Sequence, residues 1–258
     1  LLRSNVYRPD DDGRYPVIMS HGPYGKDLHF EDIYKTCWDL MCENHPDVPA
    51  GSSNIHQSWE VADPEKWVPH GYVLVRVDSR GAGRSPGYLE HFSPRETQDF
   101  LECIEWAGVQ AWSNGKVGLS GISYYAVNQW QVAAIGSKHL AAICPWEGFN
   151  DFYRELSYHG GIYSSFQRHW YDKQILPIQH GYGDRGFRSR ANGELAAGPE
   201  TLSDEELVSN RFDLHGDFIS RPLDEEFYAL DVEIHASGMV IPKGCRVALS
   251  IRGCDYVY

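Results

Sequence analysis

No apolar run in the 258-residue sequence approaches the roughly 20 residues that a membrane helix needs. A membrane partner is therefore not expected. A basic cluster is missing too: 23 Lys and Arg stand against 36 Asp and Glu, a net charge of −13. So acidic a chain repels phosphate backbones, which excludes nucleic acid as an expected partner. The six cysteines, Cys37, Cys42, Cys103, Cys144, Cys245 and Cys254, form no CxxC pair and no regular framework. Four residues separate Cys37 from Cys42, a gap some zinc sites tolerate. The histidines that follow, His45, His56 and His70, are too scattered for a finger. HExxH and carboxylate-rich metal loops are absent, so no metal and no cofactor is expected. Asp10-Asp11-Asp12-Gly13 and Asp204-Glu205-Glu206 read as solvated surface. Cys103 and Cys144 lie in apolar stretches and read as buried free thiols. Reduced, structural cysteines fit a cytoplasmic protein. No secretory leader is visible, and the opening LLRSNVYRPDDDGRYPV reads as the middle of a strand and a turn. That is compatible with a native start further upstream.

What is present is a globular composition. Hydrophobic residues make up 42% and charged residues 23%, enough to bury a core in one large domain or two small ones. Aromatics are abundant, with 8 Trp and 16 Tyr. Pro16–Ser20 is a short apolar run that ends in His21-Gly22-Pro23-Tyr24-Gly25, a buried strand and a tight loop. Glu31–Cys42 carries apolar residues at helical spacing, and residues 43–66 read as a long surface loop. Tyr72–Asp78 predicts a strand that stops at a Gly-rich turn, residues 79–87. Ser93-Pro94-Arg95-Glu96 combines a cap residue, a proline at the first helical position and a glutamate three residues after the cap, so a helix begins there. Val117–Leu119 predicts a strand, Tyr124–Ile135 a helix and Leu140–Pro145 another strand. Strands alternating with helices predict an α/β fold with a mostly parallel sheet and flanking helices.

After Glu147 the pattern changes. Residues 148–228 hold aromatics, His and Gly without alternation, with helical stretches at Glu155–Trp170 and Ser203–Asn210; they read as a helical cap. Asp231–Ile251 alternates around Pro242-Lys243-Gly244 and predicts a hairpin of an all-β domain. The expected division is 1–147, 148–228 and 229–258.

The strongest chemical signal is Gly121-Ile122-Ser123-Tyr124-Tyr125, directly after a strand and directly before a helix. That is the setting of a nucleophile elbow, whose turn lifts a serine hydroxyl above the sheet. The strict pattern ends in Gly where Tyr125 stands. Ser120 is a rival, but it belongs to the strand's edge, which favours Ser123. An ordinary strand-to-helix serine is the plainer alternative. Acyl transfer also needs donors for an oxyanion. The Tyr124 amide supplies one, and a hydroxyl from the His21–Lys26 loop, that of Tyr24, is a second candidate; Tyr24 packing at the loop tip is the equal alternative.

Four segments, YPVIMSHGPYGKD, YVLVRVDSRGAGRSPG, KVGLSGISYYA and AAICPWEGFNDFYRE, resemble in order and spacing the X-Pro dipeptidyl-peptidases and cocaine-esterase-like acyl esterases. The resemblance covers about the first 155 residues. It implies an α/β-hydrolase with Ser123 as nucleophile, Tyr24 and the Tyr124 amide as the oxyanion hole, and a structural Arg80-Gly81 turn. LDVEIHASGMVIPKGCRVALSIRGCDYVY resembles part of that family's C-terminal jelly-roll domain. Family members are longer and carry the catalytic Asp and His between cap and jelly roll, and no position here matches either. His21, His159, His169, His180 and His215, the last beside Asp213 and Asp217, are the alternative bases. Two functions follow as expectations. One is a serine hydrolase of small esters, amides or peptides with proline second, with Trp146, Phe149, Tyr153 and Trp170 lining a pocket or filling core. The other is a non-catalytic binding or structural remnant, a homo-oligomer that covers its open sheet edge. A third possibility is a chain that joins segments of a longer protein.

Overall fold

The computed structural model describes residues 1–181 and 185–198. They fall into two compact units: residues 1–148 with those of 172–198, and residues 149–171. The calls on Ser203–Asn210, on His215 with its aspartates and on the jelly-roll segment lie outside the described residues.

The first unit is built on a five-stranded sheet. Its strands are β1 (Ser4–Tyr7), β2 (Tyr15–Gly22), β3 (Val73–Asp78), β4 (Ser113–Ile122) and β5 (Leu140–Trp146), in the spatial order β1-β3-β2-β4-β5. Only β1 runs antiparallel, pairing with β3; every other pair is parallel. All six residues of β3 are buried, as an interior parallel strand requires. Met19 on β2 faces Val75 on one side and Leu119 on the other. With Val17, Val73, Val77, Val117 and Val132 these side chains form the main core. Each such side chain, fully buried, contributes about 1.5–3 kcal/mol.

Helix α4 (Pro94–Gly108), which follows the short α3 (Pro64–Trp67), closes one part of this core with Phe100, Ile104 and Ala107, three positions at helical spacing. Its start is the expected one. Ser93 caps it, accepting from the Glu96 amide at 3.1 Å, and Pro94 occupies the first turn. Helix α5 (Tyr124–Ile135) begins at the residue after Ser123 and stops at Gly136, whose φ of 83° ends the helical path.

Three expectations need correction. The helix over Glu31–Cys42 is two helices, α1 (Phe30–Ile33) and α2 (Lys35–Asn44). Tyr34 leaves the helical region between them (φ −129°, ψ 55°), and its ring lies 4.2 Å from that of Trp59. The helix over Glu155–Trp170 is instead a π-helical turn at Phe152–Ser157, a hairpin of Tyr158–His159 with Ile162–Tyr163, and a short helix at Phe166–Trp170. Gly160 and Gly161 take φ of 58° and 84°, the paired positive angles of a two-residue hairpin turn. Cys144 is exposed rather than buried, because β5 is the last strand of the sheet among the described residues. Cys103 is partly buried, and desolvation pushes its thiol up to about 12. Among the described residues no helix is long and apolar enough to cross a membrane.

Candidate active site

Ser123 sits at the junction of β4 and α5 with φ 57° and ψ −115°. A non-glycine residue at positive φ is strained, and such strain persists only where the surroundings enforce it. Here two sets of bonds do so. The Ser123 amide donates to the Trp146 carbonyl on β5 at 3.0 Å. The Ser123 carbonyl accepts from the amides of Ala126 and Val127, the first turn of α5. Ser123 caps no helical amide with its own side chain. Ser123 thus stands at the positive end of the α5 dipole.

Tyr125, which breaks the strict motif, is accommodated by glycines on both sides. A Cβ at Gly121 would lie 2.2 Å from the Tyr125 Cβ, and one at Gly22 would lie 2.5 Å from the Tyr125 ring. The ring itself is buried and meets that of Tyr24 edge-on at 5.5 Å. Tyr24 is 4% exposed and also meets the Tyr124 ring, at 6.0 Å. The structure therefore brings Tyr24, Tyr124 and Tyr125 into one aromatic cluster beside the elbow. Ser120, the rival serine, lies within β4 and pairs with Cys144 of β5, as an ordinary strand residue does.

The loop that carries Tyr24 is tied down by Asp78 at the end of β3. The fully buried Asp78 carboxylate accepts from the Lys26 amide at 2.6 Å and the Arg84 amide at 2.9 Å. The Lys26 ammonium stands 3.7 Å away and also bonds Asp27. Burial nevertheless pushes the Asp78 carboxyl up to about 6. Folding raises its proton affinity, so the stability it contributes is fullest below about 4 and is lost as pH rises through about 6. Urea midpoints across that window should therefore fall for the wild type relative to Asp78→Asn. A pH-independent difference between the two would refute the raised carboxyl.

Glu96 ties Tyr124 to the rest of the fold. Its buried carboxylate accepts from the Tyr124 hydroxyl at 2.6 Å, the Ser79 hydroxyl at 2.7 Å and the Phe92 amide at 2.8 Å. Phe92 stacks on the Tyr124 ring at 4.1 Å, and His91 Nδ1 approaches the same hydroxyl at 3.3 Å. The Arg80 turn is held separately, by a two-pronged pair with Asp99 at 2.7 Å on each prong. That agrees with a structural role for Arg80.

The candidate bases fare differently. His21 is a core residue: it is fully buried, stacks on Phe100 at 4.9 Å, and desolvation pulls it down to about 4. Desolvation also holds His91 near 3. His159 is exposed and bonded to the Glu155 carbonyl within the second unit, to which His169 also belongs. His180 closes a helix at Leu176–His180. Among the described residues no histidine hydrogen-bonds Ser123. A cleft of about 310 Å³ elsewhere in the first unit is lined by Asn5, Lys26, His29, Gln57 and Arg76 among others, and not by Ser123, Tyr24 or Tyr124.

A model of the X-Pro dipeptidyl-peptidase family, S15, matches residues 1–208. The chain belongs to the S15 family. Cocaine esterase of Rhodococcus sp. (strain MB1 Bresler) is 32% identical over 161 residues, which cover 62% of this chain and 23% of the esterase. A putative Xaa-Pro dipeptidyl-peptidase of Bacillus cereus is 27% identical over 172 residues, covering 61% and 28%. Among solved structures, a CocE/NonD family hydrolase from Staphylococcus aureus superposes with a TM-score of 0.59 at 40% identity, over 70% of this chain and 31% of that one. The fold is thus that of the α/β-hydrolases, and the chain spans about a quarter of the length of the curated S15 relatives it matches. The S15 resemblance points to Ser123, Tyr24 and Tyr124, but sequence reasoning missed Glu96 and His91, which contact the Tyr124 hydroxyl. Glu96 carried one signal, its place three residues after a cap, and that signal spoke only for a helix.

Proposed function

We propose that this chain carries the nucleophile side of an S15 serine hydrolase. Ser123 Oγ attacks the carbonyl carbon of a small ester, an amide, or a peptide with proline second. The carbonyl oxygen becomes an oxyanion that accepts from the Tyr124 amide and the Tyr24 hydroxyl. Collapse expels the alcohol or amine and leaves an acyl group on Ser123, which water then removes. The observation that carries this reading is the backbone of Ser123, held at φ 57° between Gly121 and the first turn of α5. Strain of that kind clusters at functional sites, and here it would present a hydroxyl.

The reaction needs a base to take the Ser123 proton. A second reading is a non-catalytic member of the family. A fluorophosphonate probe separates the two. The folded protein is expected to be labelled at Ser123, mapped by mass spectrometry, whereas heat-denatured protein and Ser123→Ala are not. No labelling of a demonstrably folded chain would establish the second reading in its place.

A further inference from the structure

Arg76 is a buried cation that acyl transfer leaves unused. On β3 the side chains of Val73, Val75 and Val77 enter the main core, and alternation turns Leu74, Arg76 and Asp78 to the opposite face of the sheet. Arg76 is 4% exposed there. Its Nη1 donates to the His56 carbonyl at 2.8 Å and its Nη2 to the Ala62 carbonyl at 2.6 Å. Those neutral acceptors do not balance a full charge, and a buried charge is costly until it is paired. The carboxylates that act on Arg76 from a distance are committed elsewhere, Asp63 to Gln57 and the Glu65 amide, Asp27 to Lys26 and Asn5. Among the described residues Nε of Arg76 has no hydrogen-bond partner. One hydrogen on each Nη and that on Nε therefore remain to be accepted.

Arg76 borders two cavities. One, of about 10 Å³, has room for a single water. The other is the cleft of about 310 Å³ beside β1. Asn5 of β1 stands opposite Arg76 in the strand register, and the centre of the Tyr7 ring lies 5.5 Å from the guanidinium carbon. Lys26 and Asp27, which also line the cleft, neutralise one another. His29 and His56 can add only positive charge. The cleft is thus cationic in a chain of net charge −13. Tyr7 and the exposed Ile55 give it apolar surface. We propose that the cleft binds a small organic carboxylate, whose head group accepts from the Arg76 guanidinium and whose apolar part lies against Tyr7 and Ile55. A planar guanidinium matches a carboxylate in both charge and geometry. The site is separate from Ser123 and does not depend on the hydrolase reading.

Calorimetry near neutral pH with benzoate and its neutral analogue benzamide tests this on the full chain. The wild type is expected to bind benzoate about tenfold more tightly than benzamide, a preference that Arg76→Met abolishes. Arg76 also holds the carbonyls of His56 and Ala62, so a second variant leaves it in place. Asn192 lines the cleft, is exposed, and accepts from the Glu194 amide at 3.0 Å, a bond that aspartate keeps. Asn192→Asp adds a negative charge there, and should weaken benzoate at least roughly threefold while leaving benzamide unchanged. Nuclear magnetic resonance on the wild type locates the ligand: benzoate should shift the side-chain amides of Asn5, Gln57 and Asn192. The wild-type measurements decide even where Arg76→Met does not fold. Equal affinity for the two probes, benzoate affinity untouched by Asn192→Asp, or shifts confined to the backbone amides of Ser123 and Tyr124 would each overturn the assignment. Tighter binding of inorganic phosphate than of benzoate would overturn the carboxylate class.

Discussion

Gly121→Ala is expected to lower stability by about 3 kcal/mol and to abolish fluorophosphonate labelling of Ser123. The added Cβ would lie 2.2 Å from the Tyr125 Cβ and 3.2 Å from the Tyr125 carbonyl oxygen. Neither is the end of a flexible side chain, so relief requires α5 to move away from β4. That movement undoes the Ala126 and Val127 bonds that hold Ser123 at positive φ. Gly118→Ala, three residues earlier on the same strand, is the control. Its Cβ would meet only the Val17 and Ala142 carbonyl oxygens, at 3.8 and 3.9 Å, an ordinary contact. Urea unfolding should place that variant within about 1 kcal/mol of wild type. Combining Gly121→Ala with Tyr125→Gly removes the opposing Cβ, and the pair should cost less than the sum of the two single changes. Strict additivity would mean that the crowding at 121 is not with Tyr125.

Why some of this was legible in the sequence is a matter of range. Ser93, Pro94 and Glu96 announce the start of α4 because capping is settled within four residues. The limits of α5, Tyr124 to Ile135, are legible for the same reason: a nucleophile turn on one side and Gly136 on the other. The hairpin at Gly160-Gly161 is equally local, yet the aromatic spacing around it imitates a helix. Tyr34 interrupts its helix beside a ring 25 residues away, Trp59, which no helical window contains. Cys144 looked buried because β5 reads as apolar, while its exposure depends on which strand stands next to β5. The site divides in the same way. Gly121 and Ser123 are one short motif, whereas the bonds from Asp78 to Lys26 and from Glu96 to Tyr124 span 52 and 28 residues. Pairing across such distances leaves no periodic trace.

Glu96→Ala is the second large effect, expected to cost about 3–5 kcal/mol and to slow labelling of Ser123 at least roughly tenfold in the fraction that remains folded. The carboxylate is 5% exposed and serves the Tyr124 hydroxyl, the Ser79 hydroxyl and the Phe92 amide. Alanine removes the acceptor that all three donors share and opens a cavity between α4 and α5. Tyr124→Phe removes one donor and keeps the other two satisfied, so its cost should be about 1 kcal/mol. Comparing the variants separates scaffold from chemistry. Ser79 and Phe92 hold the segments on either side of the Gly-rich turn, and their loss reads out as stability. Tyr124 alone connects Glu96 to the amide that follows Ser123, and its loss reads out as the labelling rate. If folded Glu96→Ala and Tyr124→Phe both label at the wild-type rate, the Tyr124 ring does not position that amide. The oxyanion assignment would then rest on the geometry of the α5 N-terminus alone.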